Sequence, residues 1–309
     1  MVECYAPIVV FVFARPEHTR LTLEALAANT LASESELIIY ADAARTQSET
    51  EPVQQVRKLI RDIKGFRNIS IIERETNYGL ARSIIEGVSE VCEQYGRVIV
   101  LEDDIVTSPA FLSFMNAALD RYADESRVWH ISGWNYPIDP KGLGDTFFWR
   151  AMNCWGWATW DNHWKYFKKD AQQLIKTWDR QKIKRFNLDG CHDFWRQILN
   201  NSTGRQNTWA IFWYASIFEY DGLCLNPTQS FVNNIGIDGS GENCATNKLF
   251  IASQLCEKVG ELPANYEESM LAVQRIKLFN KSMQETLPQR VYRRIRKFFL
   301  RHSDIVLND

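Results

Sequence analysis

The sequence predicts an α/β fold: a mostly parallel sheet flanked by helices, followed by an aromatic-rich region and a helical C-terminal extension. Three observations carry this. Short β-branched, apolar runs alternate with helix-period segments through the first third of the chain, the pattern of strands buried under helices on both faces. Polar and charged residues collect directly after each apolar run. All eleven tryptophans fall between Trp129 and Trp213, so the first 128 residues contain none.

The elements follow in order. "PIVVFVFA" (residues 7–14) is the first strand. The next segment carries Leu21, Ala25 and Ala28 at helical spacing, and Pro16 suits a first helical turn. "ELIIYAD" and "NISIIER" are the second and third strands, with the helix "EPVQQVRKLIRDI" between them. Leu80, Ile84, Ile85, Val88, Val91 and Cys92 mark the apolar face of a third helix. "RVIVLE" is the fourth strand, and "PAFLSFMNAALDRY" is a helix opened by Ser108 as N-cap and Pro109 at its first position. Beyond it, "RVWHISGWN" reads as strand and turn, "CWGWATWDNHWKYF" as the start of a helical stretch, "GCHDFWRQILNNS" as a helix and "GLCLNP" as a strand. "TWAIFWYASIFEYDG" is a further apolar segment. "PQRVYRRIRKFFLRH" (residues 288–302) is a basic amphipathic helix, to be laid on an anionic membrane surface, packed on the domain or used for dimerisation. Three regions result: an alternating strand-helix half over 1–127, an aromatic-rich half over 128–250 and the extension over 251–309.

The chain has 309 residues, 24% charged, with a formal net charge of -2, so no basic excess points to nucleic acid. Seven scattered cysteines without a CxxC pair read as reduced thiols of a cytoplasmic protein, not a disulfide framework. No apolar run approaches the roughly 20 residues of a membrane span. There is no GxGxxG after the first strand and no GxxxxGK[ST], which argues against dinucleotide and P-loop chemistry.

In such sheets ligands bind beyond the carboxyl ends of the strands. The residues found there are Arg15, Asp42, Glu73 to Asn77, and Glu102-Asp103-Asp104. Three adjacent carboxylates repel and raise one another's pKa. Either a hard divalent cation shared with a diphosphate offsets this, or the triplet is a solvated acidic turn.

"LEDDIVTSPAFLSFMNAAL" resembles the donor-site segment of GT-A glycosyltransferases, especially the N-acetylglucosaminyltransferase I type. "FARPEHTR", "IIYADAA", "ETNYGLARSI", "HISGWN" and "CWGWATW" are similar, in order, to further pieces of that family and of family-two glycosyltransferases, over about residues 7–245. The resemblance implies a GT-A (Rossmann-like) fold and an inverting transfer of a sugar from a UDP-sugar to a glycan or lipid-linked glycan hydroxyl, dependent on Mn2+ or Mg2+. It implies that Arg15 faces the nucleotide or its phosphates and that Asp42 accepts from the uracil N3–H. Asn77 lines the nucleotide pocket, Arg82 lies near a phosphate, Glu102 and Asp103 reach sugar or ribose, and Asp104 ligates the metal.

Such a transfer needs a base for the acceptor hydroxyl. Asp193 in "CHDFW" occupies the family's base position; Asp161, Asp179, Asp189 and Glu219 are the alternatives, with His192 a neighbour. Sugar faces pack on aromatic planes, which makes Trp134 a donor contact and Trp155, Trp157 and Trp195 acceptor contacts. Trp149, Trp160, Trp178, Trp209 and Trp213 read as core. In "NNIGIDGSGEN", Gly239 and its neighbours let backbone N–H groups approach a diphosphate. Bacterial relatives often place a histidine after this loop, where Glu242, Asn243 and Cys244 stand here. The rival readings are a sugar-1-phosphate nucleotidyltransferase, which would want a glycine-rich loop after the first strand, and a non-catalytic carbohydrate-binding protein on the same fold.

Overall fold

The computed structural model describes residues 5–238 and 250–283. Its first half alternates strand and helix: β1 (Ile8–Val12), α1 (Pro16–Ala27), β2 (Glu36–Ala41), α2 (Thr50–Arg61), β3 (Asn68–Glu73), α3 (Leu80–Tyr95), β4 (Arg97–Glu102). The short β5 (Ile105–Thr107) and α4 (Phe111–Arg121) follow. The aromatic half contains β6 (Val128–Ser132), β7 (Thr146–Trp149), β8 (Trp157–Trp160), α5 (Asp161–Trp164), α6 (Ala171–Thr177), α7 (Arg180–Phe186), α8 (Trp195–Ser202), α9 (Ala210–Glu219), β9 (Leu223–Pro227) and β10 (Val232–Asn234). The described chain ends with α10 (Met270–Met283).

Eight strands form one sheet in the order β3-β2-β1-β4-β8-β6-β9-β7, and β10 pairs with β5 beside it. The contiguous block β3-β2-β1-β4 is parallel. β8 runs antiparallel to both β4 and β6, β6 is parallel to β9, and β7 closes the edge antiparallel to β9. This is the predicted α/β class, mostly parallel, with antiparallel strands admitted where the aromatic half joins.

Strand alternation divides β1 between two cores. Ile8, Val10 and Val12 face Leu23 and Leu26 of α1 on one side of the sheet. Val9 and Phe11 face Ile84 and Val88 of α3 on the other, in a core that continues into the tryptophans. α9 is buried along Ile211 to Phe218, as an all-apolar helix must be.

Two expectations change. "CWGWATW" does not start a helix: Trp157 to Trp160 is a central strand, and a helical turn begins only at Asp161. Aromatic and β-branched residues favour a pleated surface covered on both sides. Ser108 does not cap α4, since its Oγ is buried without a partner. Asn29, distant in sequence, does that work, accepting from Leu112 N at 2.9 Å. The start of the C-terminal region is also tied into the body: Ser269 N donates to Phe148 O at 2.8 Å, and Ala272, Val273 and Ile276 are buried. The basic segment at 288–302 lies outside the described residues.

Candidate active site

β1 and β4 are parallel neighbours with Phe11 in register with Glu102. The residues that leave their carboxyl ends must therefore meet. Arg15, three residues past β1, lies against Asp103 and Asp104, directly past β4. Its Nη2 donates to Asp103 Oδ1 and, at 2.9 Å, to Asp104 Oδ2, while Nε donates to Asp103 Oδ2 at 3.3 Å. The positive charge that the acidic triplet requires is thus supplied partly by the chain itself. Two buried polar atoms stay without a partner there: Asp104 Oδ1 and Arg15 Nη1.

Glu102 carries no such guanidinium contact. Burial first, then the charges of Asp104 and Asp103, push its carboxyl up to about 8, against the charge of Arg15 and a hydrogen bond from Trp209. Burial also raises Asp103, with Arg15 opposing. The cluster is therefore short of one cation's worth of compensation.

These residues line a cleft of about 370 Å³ together with Tyr40, Asp42, Asn77, Gly79 and Ser83. Asp42, just past β2, accepts from Ala43 N and Gly79 N at 2.9 Å and from Tyr78 N at 2.9 and 3.2 Å. It clamps the loop that starts α3, where Gly79 sits at φ 70, a left-handed conformation suited to glycine. Asn77 Nδ2 donates to Ala43 O at 2.6 Å and braces the same loop. Arg82 is not brought to the cleft wall; it pairs with Glu86 at 2.6 Å and lies over the Tyr78 ring. Ser83 was not expected: its buried Oγ has no partner and faces the cleft. Its signal was its place one turn past Gly79 on the first turn of α3.

The segment after β10 packs against the acidic cluster. A Cβ on Gly236 would run into the Asp104 carboxylate and lie 3.0 Å from Arg15 Nη1. Gly236→Ala is therefore expected to displace the Arg15 clamp, costing about 1–3 kcal/mol of stability and altering whatever ligand affinity the cleft has. Chemical denaturation and calorimetry read both. The next carboxylate, Asp238, pairs with His18 Nε2 at 3.2 Å. Gly239 and the glycine-rich loop beyond it lie outside the described residues.

A second cavity, of about 410 Å³, is walled by aromatic rings. Trp134 and Trp155 meet edge to face there, 4.6 Å between centroids, with Trp134 Nε1 donating to Phe250 O at 3.2 Å. The other two expected aromatic contacts are placed elsewhere. Trp157 is completely buried, stacked on Trp209 at 5.1 Å within the core, because β8 is a central strand. Trp195 stacks on Trp178 at 5.4 Å against Phe186. Asp193 lines neither cavity: its side chain is 61% exposed and pairs with Arg196 at the start of α8.

No protein-family model matches this chain, and no curated protein matches it. Among solved structures, residues 1–349 of TarS from S. aureus align with 75% of this chain at 11% identity and a TM-score of 0.41. The chain spans 62% of that structure's length. A longer S. aureus TarS structure aligns with 45% of this chain and 23% of its own, at 16% identity and a TM-score of 0.31. The mannosyltransferase PcManGT from Pyrobaculum calidifontis, in complex with GDP-Man and Mn2+, aligns with 71% of this chain and 70% of its own, at 11% identity and a TM-score of 0.36.

Proposed function

We propose that this protein is a glycosyltransferase that takes a sugar from a nucleoside-diphosphate donor, UDP-linked by preference, and passes it with inversion to a hydroxyl of a glycan or lipid-linked glycan. One observation supports this above the rest. At the carboxyl ends of the parallel strands, a buried carboxylate oxygen (Asp104 Oδ1) and a buried guanidinium nitrogen (Arg15 Nη1) are both left unbonded beside a cleft. Unbonded buried polar atoms are costly, and a ligand carrying both negative oxygens and an accompanying cation satisfies both.

The donor fits this wall by its parts. The Asp42 and Asn77 loop forms the far end, where Asp42 braces the wall through its backbone donors and the base packs beside it. Arg15 Nη1 is the donor available to a phosphate oxygen. Glu102, whose carboxyl lines the cleft, is placed to hydrogen-bond a sugar hydroxyl. Among the described residues there is no group of three His, Cys, Asp or Glu side chains that could hold a metal ion by themselves. Asp104 Oδ1 fits a single protein contact to Mn2+ or Mg2+, the remaining ligands coming from diphosphate and water. When bound, that ion supplies Lewis-acid stabilisation of the leaving diphosphate.

Among the described residues no helix is long and apolar enough to cross a membrane. A lipid-linked acceptor would therefore be met from the membrane surface.

Calorimetry against UDP, GDP, ADP and dTDP, with and without Mn2+, followed by assay of the matching sugar nucleotides, tests the proposal. Nucleoside diphosphate release together with a glycosylated acceptor supports it. Pyrophosphate release points to nucleotidyl transfer, and sugar affinity without donor turnover points to a binding protein.

A further inference from the structure

Two residues that reach the acidic cluster stand next in sequence to residues that line the aromatic cavity. Gly236 packs on Asp104, and the next residue, Ile237, lines the cavity. Trp209 bonds Glu102, and the next two residues, Ala210 and Ile211, line the cavity. Adjacent Cα atoms are about 3.8 Å apart, so at both places the chain passes from the acidic cluster to the cavity lining within one or two residues.

The lining suits a hexose. Trp134, Tyr136 and Trp155 offer apolar faces for the C–H side of a sugar ring, while Asn153 and Gln197 offer amides to its hydroxyls. It also contains one imidazole, His192. His192 Nδ1 lies 3.3 Å from Asn280 Oδ1. Asn280 is itself oriented, because its Nδ2 donates to Ile276 O at 3.0 Å, which turns its oxygen toward His192. An oxygen there accepts only from Nδ1–H, so the lone pair belongs to Nε2. Nε2 has no hydrogen-bond partner among the described residues.

We propose that the cavity holds the acceptor sugar and that His192 Nε2 takes the proton of its attacking hydroxyl. This rests on the glycosyltransfer reading and extends it to the acceptor. In the step, the acceptor oxygen bonds to the donor's anomeric carbon. The bond from that carbon to the diphosphate oxygen breaks, and its electron pair stays on the phosphate. The hydroxyl proton passes to Nε2, forming an imidazolium that later releases it to solvent.

The carboxylates that could compete are otherwise engaged. Asp189 pairs with Lys277, Glu219 with Lys182 and Trp178 Nε1, and Asp179 caps α7. Asp161 opens α5, Asp193 faces solvent beside Arg196, and Asp238 pairs with His18. Burial lowers the pKa of His192, against Asn280 and Asp193, which keeps it in the neutral form that a base needs.

Two measurements test this. With an active donor and a panel of p-nitrophenyl hexosides, His192→Gln is expected to lower kcat about 100-fold or more at unchanged donor KM, and Asp193→Asn to stay within about threefold of the parent. Independently, 15N spectra of histidine-labelled protein, assigned with His192→Gln, should show a neutral Nδ1–H ring at pH 7 that shifts when methyl hexosides are added. Near-parental transfer by His192→Gln overturns the proposal, as does transfer abolished by Asp193→Asn or Asp238→Asn instead. So does an Nε2–H ring. If the parent protein turns over no sugar nucleotide, the transfer reading fails; a His192 signal unmoved by every hexoside then overturns the acceptor site as well, and a moved one retains the cavity as a sugar site.

Discussion

Asp104→Asn is expected to lower glycosyl transfer about 100- to 1,000-fold while leaving the fold intact, whereas Asp103→Asn weakens the fold more than the chemistry. The two neighbours differ in what their oxygens do. Both oxygens of Asp103 are committed to Arg15, and its backbone oxygen accepts from Thr22 Oγ1 at 2.9 Å. Asp103 is therefore a brace for the turn. Asp104 gives one oxygen to Arg15 and keeps the other buried and unbonded. An amide at 104 retains shape but offers no negative charge to whatever cation accompanies a diphosphate. Turnover with saturating donor, beside thermal denaturation of both variants, checks the contrast. Asp104→Asn with parental turnover would remove the main support for the transferase reading.

The first half of the fold could be read from the sequence because two signals coincide there. Continuous apolar strands and helix-period faces on α2 and α3 specify the same burial. The aromatic half offered no such agreement. Trp157 to Trp160 is buried on both faces of a central strand, which removes the alternation that marks a half-exposed one. The residues of the cleft beside Asp104 were legible singly, as polar groups after strands. Their pairing was not: Arg15 meets Asp103 only because β1 and β4 are adjacent and parallel, a fact of topology. Arg82 misled for the opposite reason, since its i,i+4 partner Glu86 holds it on the outer face of α3. His192 and Asp193 are neighbours in sequence, yet the turn into α8 sends one into the aromatic cavity and the other to solvent. No residue pattern marks which of two consecutive side chains faces inward at such a turn.

Arg15→Ala should produce the largest loss of stability of any single change at the site, and the loss should depend on pH. The guanidinium is the ion-pair partner of both Asp103 and Asp104, whose side chains are only 6% exposed. Removing one member of a buried pair leaves uncompensated charge and typically costs about 3–5 kcal/mol; partial exposure of Arg15 places this case at the lower end. The sign with pH follows from the carboxyls. Glu102 already sits at about 8 in the folded chain against an ordinary 4.5. Below the ordinary value both folded and unfolded chains hold the proton, and ionisation costs nothing. As pH rises through that window, the unfolded chain ionises first, so stability falls until the folded carboxyl ionises too. Arg15 opposes the rise at both Glu102 and Asp103. Its removal moves both folded values higher, widens the window and deepens the decline. Denaturation of parent and Arg15→Ala at pH 5 and pH 8.5 should therefore show a gap that grows with pH. Glu102→Gln in the Arg15→Ala background should narrow it, because an amide has no proton to lose. A gap that is constant across that range would mean that Arg15 stabilises the turn by packing its alkyl stem, and that the carboxylates are not strained.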